Sequence, residues 1–291
     1  MKILALSDIH GYLWNKQVEE YDVLCLAGDI ININDQRNIE TSRMWWYTRF
    51  TEWVNKQPCK KVIVTPGNHD FYIEDAFKKG YFNELRKDLF ARTNGKLEIL
   101  VNESYTYQGL TFYGCPYIMP IPFQEDKWAF TTNSKDYYII PDNTDILITH
   151  DNPFKNLILD SYIPDSVKCH FFGHWHDGID DTKNNKFNCS MLNNMYRFKE
   201  DFKYIEVDME NINKTKIEQD FLVKIINKVK DELDKESADL SINSLADRVM
   251  NTINSFKEVV IDETILEDEV ELPITGEDIG ETPWFGYDSA E

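Results

Sequence analysis

Up to about residue 210 the chain alternates short, nearly continuous apolar runs with polar segments in which glycine and asparagine recur. The runs at Lys2 to Ser7, Asp22 to Ala27, Lys61 to Thr65, Leu110 to Tyr113, Asp145 to Thr149, Cys169 to Phe172 and Tyr204 to Val207 are rich in Ile, Val, Leu and Phe. Apolar runs of strand length with little polar alternation predict strands of sheets buried on both faces. Two longer stretches read as helices. Glu40 to Asn55 sets Trp46, Phe50, Trp53 and Val54 at helical spacing, so its aromatic block (Trp45, Trp46, Tyr47, Phe50, Trp53) predicts core packing or a partner surface ahead of a platform for stacking bases. Ile73 to Arg92 is the second, with Gly80 marking where it splits. Asn156 to Asp165 and Met119 to Asp142 are predicted loops over a pocket. The latter holds Pro120, Pro122, Phe123, Trp128, Phe130, Tyr137 and Tyr138, too aromatic for a free linker, and is expected to pack on the domain with one wall of a substrate site as a further role.

After residue 210 the period changes. Ile217, Phe221, Ile225, Val229 and Leu233, then Leu245, Val249, Ile253 and Phe256, recur at helical spacing on either side of Glu236 to Ser241. Residues 211–259 are therefore expected to form a helical appendage, docked on its own domain in the first reading and making a homo-oligomer contact in the second. Residues 260–291 read as an acidic, disordered tail, with Pro283 to Tyr287 as a docking motif inside it. The domain plan is thus 1–210, 211–259 and 260–291.

Composition narrows the class. The 291 residues are 42% hydrophobic, ample for a core, and no apolar run approaches a membrane span. The start of the chain shows no signal-peptide apolar region. Cys25, Cys59, Cys115, Cys169 and Cys189 are odd in number and lack close pairs, against both a disulfide framework and a thiolate zinc site. The expectation is a soluble, cytoplasmic protein with no membrane partner. Of the formal charge of −20, residues 261–291 contribute eleven Asp or Glu with no Lys or Arg, and the remainder is still acidic. Non-specific nucleic-acid binding rests on Lys and Arg displacing counterions, so strong binding of that kind is not expected.

Five of the six histidines fall in four short motifs: Asp8-Ile9-His10, Gly67-Asn68-His69-Asp70, Thr149-His150 and Gly173-His174-Trp175-His176, with Gly28-Asp29 between the first two. With His69 set aside, these supply two carboxylates, four imidazoles and one amide, a ligand set for two metal ions. Asp8 and His10 are two apart, so on a regular strand both would leave one face and reach one ion. Asp29 follows the apolar run Val23 to Ala27, where a parallel strand delivers a side chain into the crevice beyond its carboxyl end, and one carboxylate there could bridge two ions. Asn68 offers a carbonyl oxygen, and His174 and His176 could serve either ion. Imidazole and carboxylate without thiolate point to Mn, Fe, Zn, Ni or Co, with Mn the first choice. Two such ions about 3.5 to 4 Å apart clamp the attacking and leaving oxygens of an in-line displacement, which suits phosphoryl chemistry. His170 lies in a strand body and reads as a satisfied core or interface histidine, not a ligand.

The order Asp-x-His, Gly-Asp, Gly-Asn-His-Asp, His, Gly-His-x-His resembles the calcineurin-like metallophosphoesterase superfamily over roughly residues 1 to 210. Gly109 to Pro116, Trp128-Ala129-Phe130, Ile140 to His150 and Asn188-Cys189-Ser190 are similar to its phosphodiesterase branch, which includes class III cyclic-nucleotide phosphodiesterases and metallophosphoesterase-domain-containing proteins. The resemblance implies an α/β fold: a four-layer α-β-β-α sandwich of two mixed β-sheets with flanking helices. It implies one ion held by Asp8, His10, Asp29 and His176 and a second by Asp29, Asn68, His150 and His174, with a bridging hydroxide as attacking group. It implies that His69 assists the leaving oxygen and that Asp70 hydrogen-bonds and orients His69. The expected substrate is a small phosphodiester, cyclic or linear nucleotides included.

Two departures shape that expectation. Gly28-Asp29-Ile30-Ile31-Asn32 and the closing Asp70 differ from the protein-phosphatase pattern Gly-Asp-x-x-Asp-Arg-Gly and Gly-Asn-His-Glu, which disfavours a phosphoprotein substrate. Asp151-Asn152-Pro153 replaces the usual Gly-Pro-Pro after His150, so Asp151 either repels an anionic substrate or supports His150 from behind. The competing functions are a nuclease, a phosphomonoesterase or dinucleoside-polyphosphate hydrolase, and a non-enzymatic scaffold.

Overall fold

The computed structural model describes residues 1–14, 20–124, 127–178, 180–199 and 205–212. The expected C-terminal helices and acidic tail, and Tyr204, lie outside the described residues.

Among the described residues, ten strands form two five-stranded sheets. In the first, β1 (Lys2–Leu6), β2 (Val23–Ala27), β3 (Lys61–Thr65) and β4 (Leu97–Ile99) run parallel. In the second, β5 (Glu103–Tyr107) and β6 (Leu110–Cys115) make a hairpin, and β7 (Ile146–Thr149), β8 (Cys169–Phe172) and β9 (Lys186–Asn188) continue parallel from β6. The last strand, β10 (Ile205–Asp208), returns antiparallel against β1, so the orders are β10-β1-β2-β3-β4 and β5-β6-β7-β8-β9.

The apolar runs carry two cores because successive side chains point to opposite faces. Ile3, Ala5, Val23, Cys25, Ala27 and Ile63 pack with Phe112, Ile146, Ile148, Cys169 and Phe171 between the sheets. Their neighbours Leu4, Leu6, Leu24, Leu26, Val62 and Val64 face the other way, into a cluster with Trp46, Phe50, Trp53, Ile73, Leu85 and Leu89 from the helices. Those helices are α1 (Ile39–Trp45), α2 (Thr51–Lys56), α3 (Phe71–Lys79) and α4 (Phe82–Arg92). From the second sheet Tyr113 and Leu147 join Phe130, Tyr138, Ile140 and Leu159 in the same buried cluster. The expected α/β sandwich of two mixed sheets with flanking helices is therefore the observed fold.

The aromatic block is core, with Trp45, Trp46, Phe50 and Trp53 all buried. Between α1 and α2 the chain widens into a π-helical turn over Trp46–Phe50, a feature that period counting does not reveal. The second helix splits at Gly80, which takes φ +82°, a left-handed value that glycine adopts without steric cost. Asn156 to Asp165, expected as loop, contains a short helix α5 (Leu157–Ser161) capped by the Asn156 side chain on Leu159 N–H. All five cysteines are free and buried. Among the described residues no helix is long and apolar enough to cross a membrane.

Candidate metal centre

Every expected ligand, and the non-ligand His69 with them, sits just beyond the carboxyl end of a parallel strand: Asp8 and His10 after β1, Asp29 after β2, Asn68 and His69 after β3, His150 after β7, His174 and His176 after β8. The two-residue spacings do not work by the strand alternation that the sequence predicts. β1 has already ended at Leu6, and Asp8 (φ 51°), His10 (φ 41°), Asp29 (φ 55°) and His174 (φ 67°) all take left-handed backbone conformations. Such values are uncommon for residues with a Cβ and cluster at functional sites, where the surrounding structure holds them. Here glycines make the room. A Cβ on Gly28 would lie 2.1 Å from His150 Nδ1, and one on Gly173 would lie 1.9 Å from Ser7 Oγ and 2.4 Å from Asp8 Oδ2.

Three donor clusters overlap at this edge: Asp8, His10 and His176; His10, Asp29 and His69; Asp8, Asp29 and His150, with the donor atoms of each cluster within 4.8 Å of one another. Asp29 faces two ways. Its Oδ2 lies 3.7 Å from both His10 Nε2 and His69 Nε2, while its Oδ1 lies 3.3 Å from His150 Nε2 and accepts the His69 backbone N–H at 2.9 Å. Asp8 Oδ1 stands 3.3 Å from His176 Nε2, and Asp8 Oδ2 accepts from the Ser190 hydroxyl at 2.5 Å. Asn68 Oδ1 is 2.8 Å from His150 Nε2. His174 falls outside all three clusters. Its ring stands 5.1 Å from that of His150, and its backbone N–H donates to the Asp8 carboxylate at 3.1 Å.

The hydrogen bonds fix which nitrogens face inward. His150 Nδ1–H donates to Ala27 C=O (2.9 Å) and His176 Nδ1–H donates to Asn193 C=O (2.8 Å), leaving both Nε2 lone pairs turned to the site. In neutral His150 that lone pair would point at two more acceptors, Asn68 Oδ1 and Asp29 Oδ1, an arrangement that calls for a positive charge among them. His10 Nδ1, His10 Nε2 and His69 Nδ1 are buried without a hydrogen-bond partner. Unpaired buried nitrogens are costly, and ligation of a cation is one way to use them.

Electrostatics agree. Burial alone would raise Asp8 and Asp29, but His176 and His150 hold Asp8 below its ordinary value, and His150, His69 and His10 hold Asp29 well below. Burial opposes protonation of His150, yet the Asp29 and Asp8 charges outweigh it and push His150 up to about 10, the same pull for a positive charge at that nitrogen. His10, by contrast, is driven down to about 4 by burial despite Asp29. Anionic carboxylates, inward lone pairs and orphaned imidazole nitrogens together fit divalent metal ions.

One sequence expectation is corrected, and one of two alternatives is set aside. Asp70 does not hydrogen-bond to the His69 ring. Its buried carboxylate accepts from the backbone N–H groups of Gly67 (2.7 Å), Ile31 (3.0 Å) and Ile30 (3.2 Å), tying the Asp29 loop to the Asn68-His69 loop. Asp151 is equally committed, accepting from the N–H groups of Met119 (2.9 Å) and Asn152 (2.8 Å) and from the Asn156 amide (2.8 Å). It organises the loops around His150 and is only 2% exposed, so it presents no free charge to a substrate. His170 is a core residue as expected but only half satisfied: the Thr149 hydroxyl donates to Asp151 C=O and therefore accepts from His170 Nε2–H at 2.8 Å, while His170 Nδ1 is buried without a partner.

Asn193 and Tyr196 are site residues that sequence reasoning does not single out, and Ser190, which the sequence marks only as part of a family-like stretch, bonds Asp8. Tyr196, at φ 57°, brings its ring within 4.8 Å of His10 and 5.7 Å of His176. Trp128, from the aromatic connection expected to wall the site, lies 4.6 Å from the His69 ring.

The family model of calcineurin-like phosphoesterases matches residues 1–178. The chain is 27% identical over 199 residues to a UPF0046 protein of Caenorhabditis elegans, covering 61% of this chain and 64% of that protein. It is 23% identical over 213 residues to metallophosphoesterase domain-containing protein 1 of Homo sapiens and of Mus musculus, covering 61% of each partner in the comparison. The chain thus spans somewhat under two thirds of the length of these relatives.

Proposed function

Because the chain belongs to the calcineurin-like phosphoesterase family, we propose that it is a binuclear metal-dependent phosphodiesterase acting on small diesters, cyclic or linear nucleotides among them. The observation that carries this reading is the Asp29 carboxylate, with Oδ2 turned to His10 and Oδ1 to His150. In this assignment Asp8, His10, Asp29 and His176 hold one ion, and Asp29, Asn68, His150 and His174 the other. His174 is supported by its proximity to His150 alone. Manganese is the first choice, since hard oxygen donors and imidazoles are mixed here.

Divalent ions bound there supply Lewis-acid charge to the phosphate and lower the pKa of a water nucleophile. The protein's own residues do the rest. Gly28 and Gly173 let the backbone close on the ligands, and the Ala27 and Asn193 carbonyls hold two imidazoles in the tautomer that turns Nε2 inward. His69 presents Nε2 beside Asp29 Oδ2 and delivers a proton from that nitrogen to the leaving oxygen. The acidic exterior supports a small substrate over a polymer, because no cationic groove is needed when the positive charge is in the site.

The test is hydrolysis by the purified chain, with Mn²⁺ and with chelator, of a panel of monoester, linear diester, cyclic nucleotide and duplex DNA. Metal-dependent cleavage with the small diesters fastest supports the reading, and efficient degradation of duplex DNA at moderate salt overturns it. In the same assay His69→Ala is expected to retain its metals and lose roughly 10²- to 10⁴-fold in kcat. Loss of metal from His69→Ala would make His69 a ligand.

A further inference from the structure

Arg37 lies in the turn that leads from the Asp29 loop to α1. Its guanidinium carbon stands 4.6 Å from the centre of the Phe71 ring and 4.8 Å from that of Trp128, and the two rings are 6.4 Å apart. Phe71 is two residues past His69, and the Trp128 ring is itself 4.6 Å from the His69 ring. A cation is thus fixed one indole away from the imidazole assigned to the leaving group. Cation–π contact holds the plane of a guanidinium while leaving its N–H fork unspent.

That fork meets no carboxylate among the described residues, in a chain with 51 Asp and Glu. Two described acids from the flanking segments are engaged elsewhere. Asp35, in the same turn, accepts from the Asn32 side-chain amide at 2.5 Å. Glu74, on the helix that Phe71 begins, accepts from Phe130 N–H at 2.7 Å and pairs with Lys78 at 2.8 Å. Arg43 and Arg86, by comparison, are paired with Glu40 and Glu103. An exposed, aromatic-propped Arg whose donors meet no acid among the described residues matches the bidentate geometry of a phosphate or carboxylate group.

We propose that Arg37 is a specificity residue that binds a second anionic group, carried on the leaving-group half of a phosphodiester. The proposal rests on the diesterase reading, with His69 on the leaving-group side. It assigns the substrate class more narrowly, to diesters whose departing alcohol bears its own phosphate or carboxylate.

The probes are thymidylyl-thymidine and its two forms with one extra phosphate, at the 5′ or the 3′ end. Turnover by the Mn²⁺-loaded full chain gives kcat/KM and, from the products, identifies the departing half. Calorimetric titration with the same three compounds, their scissile bridging oxygen replaced by methylene, gives affinity without cleavage. The expected result is a preference of roughly 10- to 100-fold for the form phosphorylated on the departing half, the size of one charged hydrogen-bonded pair. Arg37→Gln should erase that preference, and Arg37→Lys should keep only part of it, having charge without the fork. Arg37→Met preserves the apolar stem against Phe71 and Trp128, and should behave like the glutamine variant if charge is the cause.

Equal constants for all three probes in the unmodified protein, or a preference that survives Arg37→Gln and Arg37→Met, would overturn the proposal. So would a preference for phosphate on the half that stays behind. An Arg37-dependent binding preference without turnover of any dinucleotide would uphold the anion subsite and sink the diesterase reading; turnover without preference would do the reverse.

Discussion

Replacing Asp70 probes how the centre is held, because this side chain contacts two ligand-bearing loops without being a ligand in the assignment above. Asp70→Ala removes the acceptor of three buried N–H groups, those of Gly67, Ile30 and Ile31. A buried donor left without a partner costs about 1–3 kcal/mol, and three neighbours do not add fully, so the loss is expected to be about 3–6 kcal/mol. Against a total of about 5–15 kcal/mol for a typical domain, that is enough to make folding marginal. Asp70→Asn keeps an oxygen for Ile30 and Ile31 but sets an NH₂ against the Gly67 N–H, so that one mismatched donor is expected to cost about 1–3 kcal/mol. The assay is urea unfolding at pH 8, above the value of about 7 to which burial and the Asp29 charge raise the Asp70 carboxyl, with bound metal measured on the same samples. Asparagine should exceed alanine in both stability and metal retention because it keeps two of the three amide contacts, and alanine should fall below wild type. An alanine variant within about 1 kcal/mol of wild type, with its metal intact, would show that these amides do not depend on Asp70 and would refute the reasoning.

Gly173→Ala should lose metal without a matching change at distant sites, since its Cβ would collide with Ser7 Oγ and Asp8 Oδ2; normal metal content in this variant would contradict the packing described. His170 supplies a pH test. Burial drives it down to about 3, so the unfolded chain takes a proton near pH 6.5 that the folded chain refuses. Its contribution is therefore complete above about pH 6.5 and is lost as the pH falls toward 3, by about 2 kcal/mol between pH 6.5 and 5. His170→Gln should flatten this limb relative to wild type in unfolding measurements at each pH. Parallel stability curves for the two proteins would remove His170 from the account of acid sensitivity.

Much of the fold and the site is legible in the sequence, for reasons that also explain what is not. β1, β2, β3, β7 and β8 are buried on nearly every residue, so their apolar runs stand out. β4 and β9 are three residues long, and β5 is an edge strand, Glu103–Tyr107, with no buried residue and hence no pattern. The donor residues are readable as motifs because they lie close in sequence around each strand end. Their left-handed backbone is not, since a Gly-rich turn does not announce which residue carries the positive φ. The role of Asp70 is hidden because its partners are backbone amides, which any sequence supplies, with two of them in another loop. Tyr196 reaches the site, and Arg37 the Trp128 ring beside it, through single turns with no periodicity, and only their ring and cation–π neighbours identify them.

Asp29 is the residue on which the two-ion centre depends, and metal stoichiometry addresses it most directly. The purified chain, loaded with Mn²⁺ and freed of excess metal, should contain close to two equivalents by elemental analysis. Asp29→Ala should lose both together, because each oxygen of that carboxylate faces a different donor set. A wild-type chain that holds no metal, or an Asp29→Ala chain that keeps two equivalents, would contradict the centre proposed here.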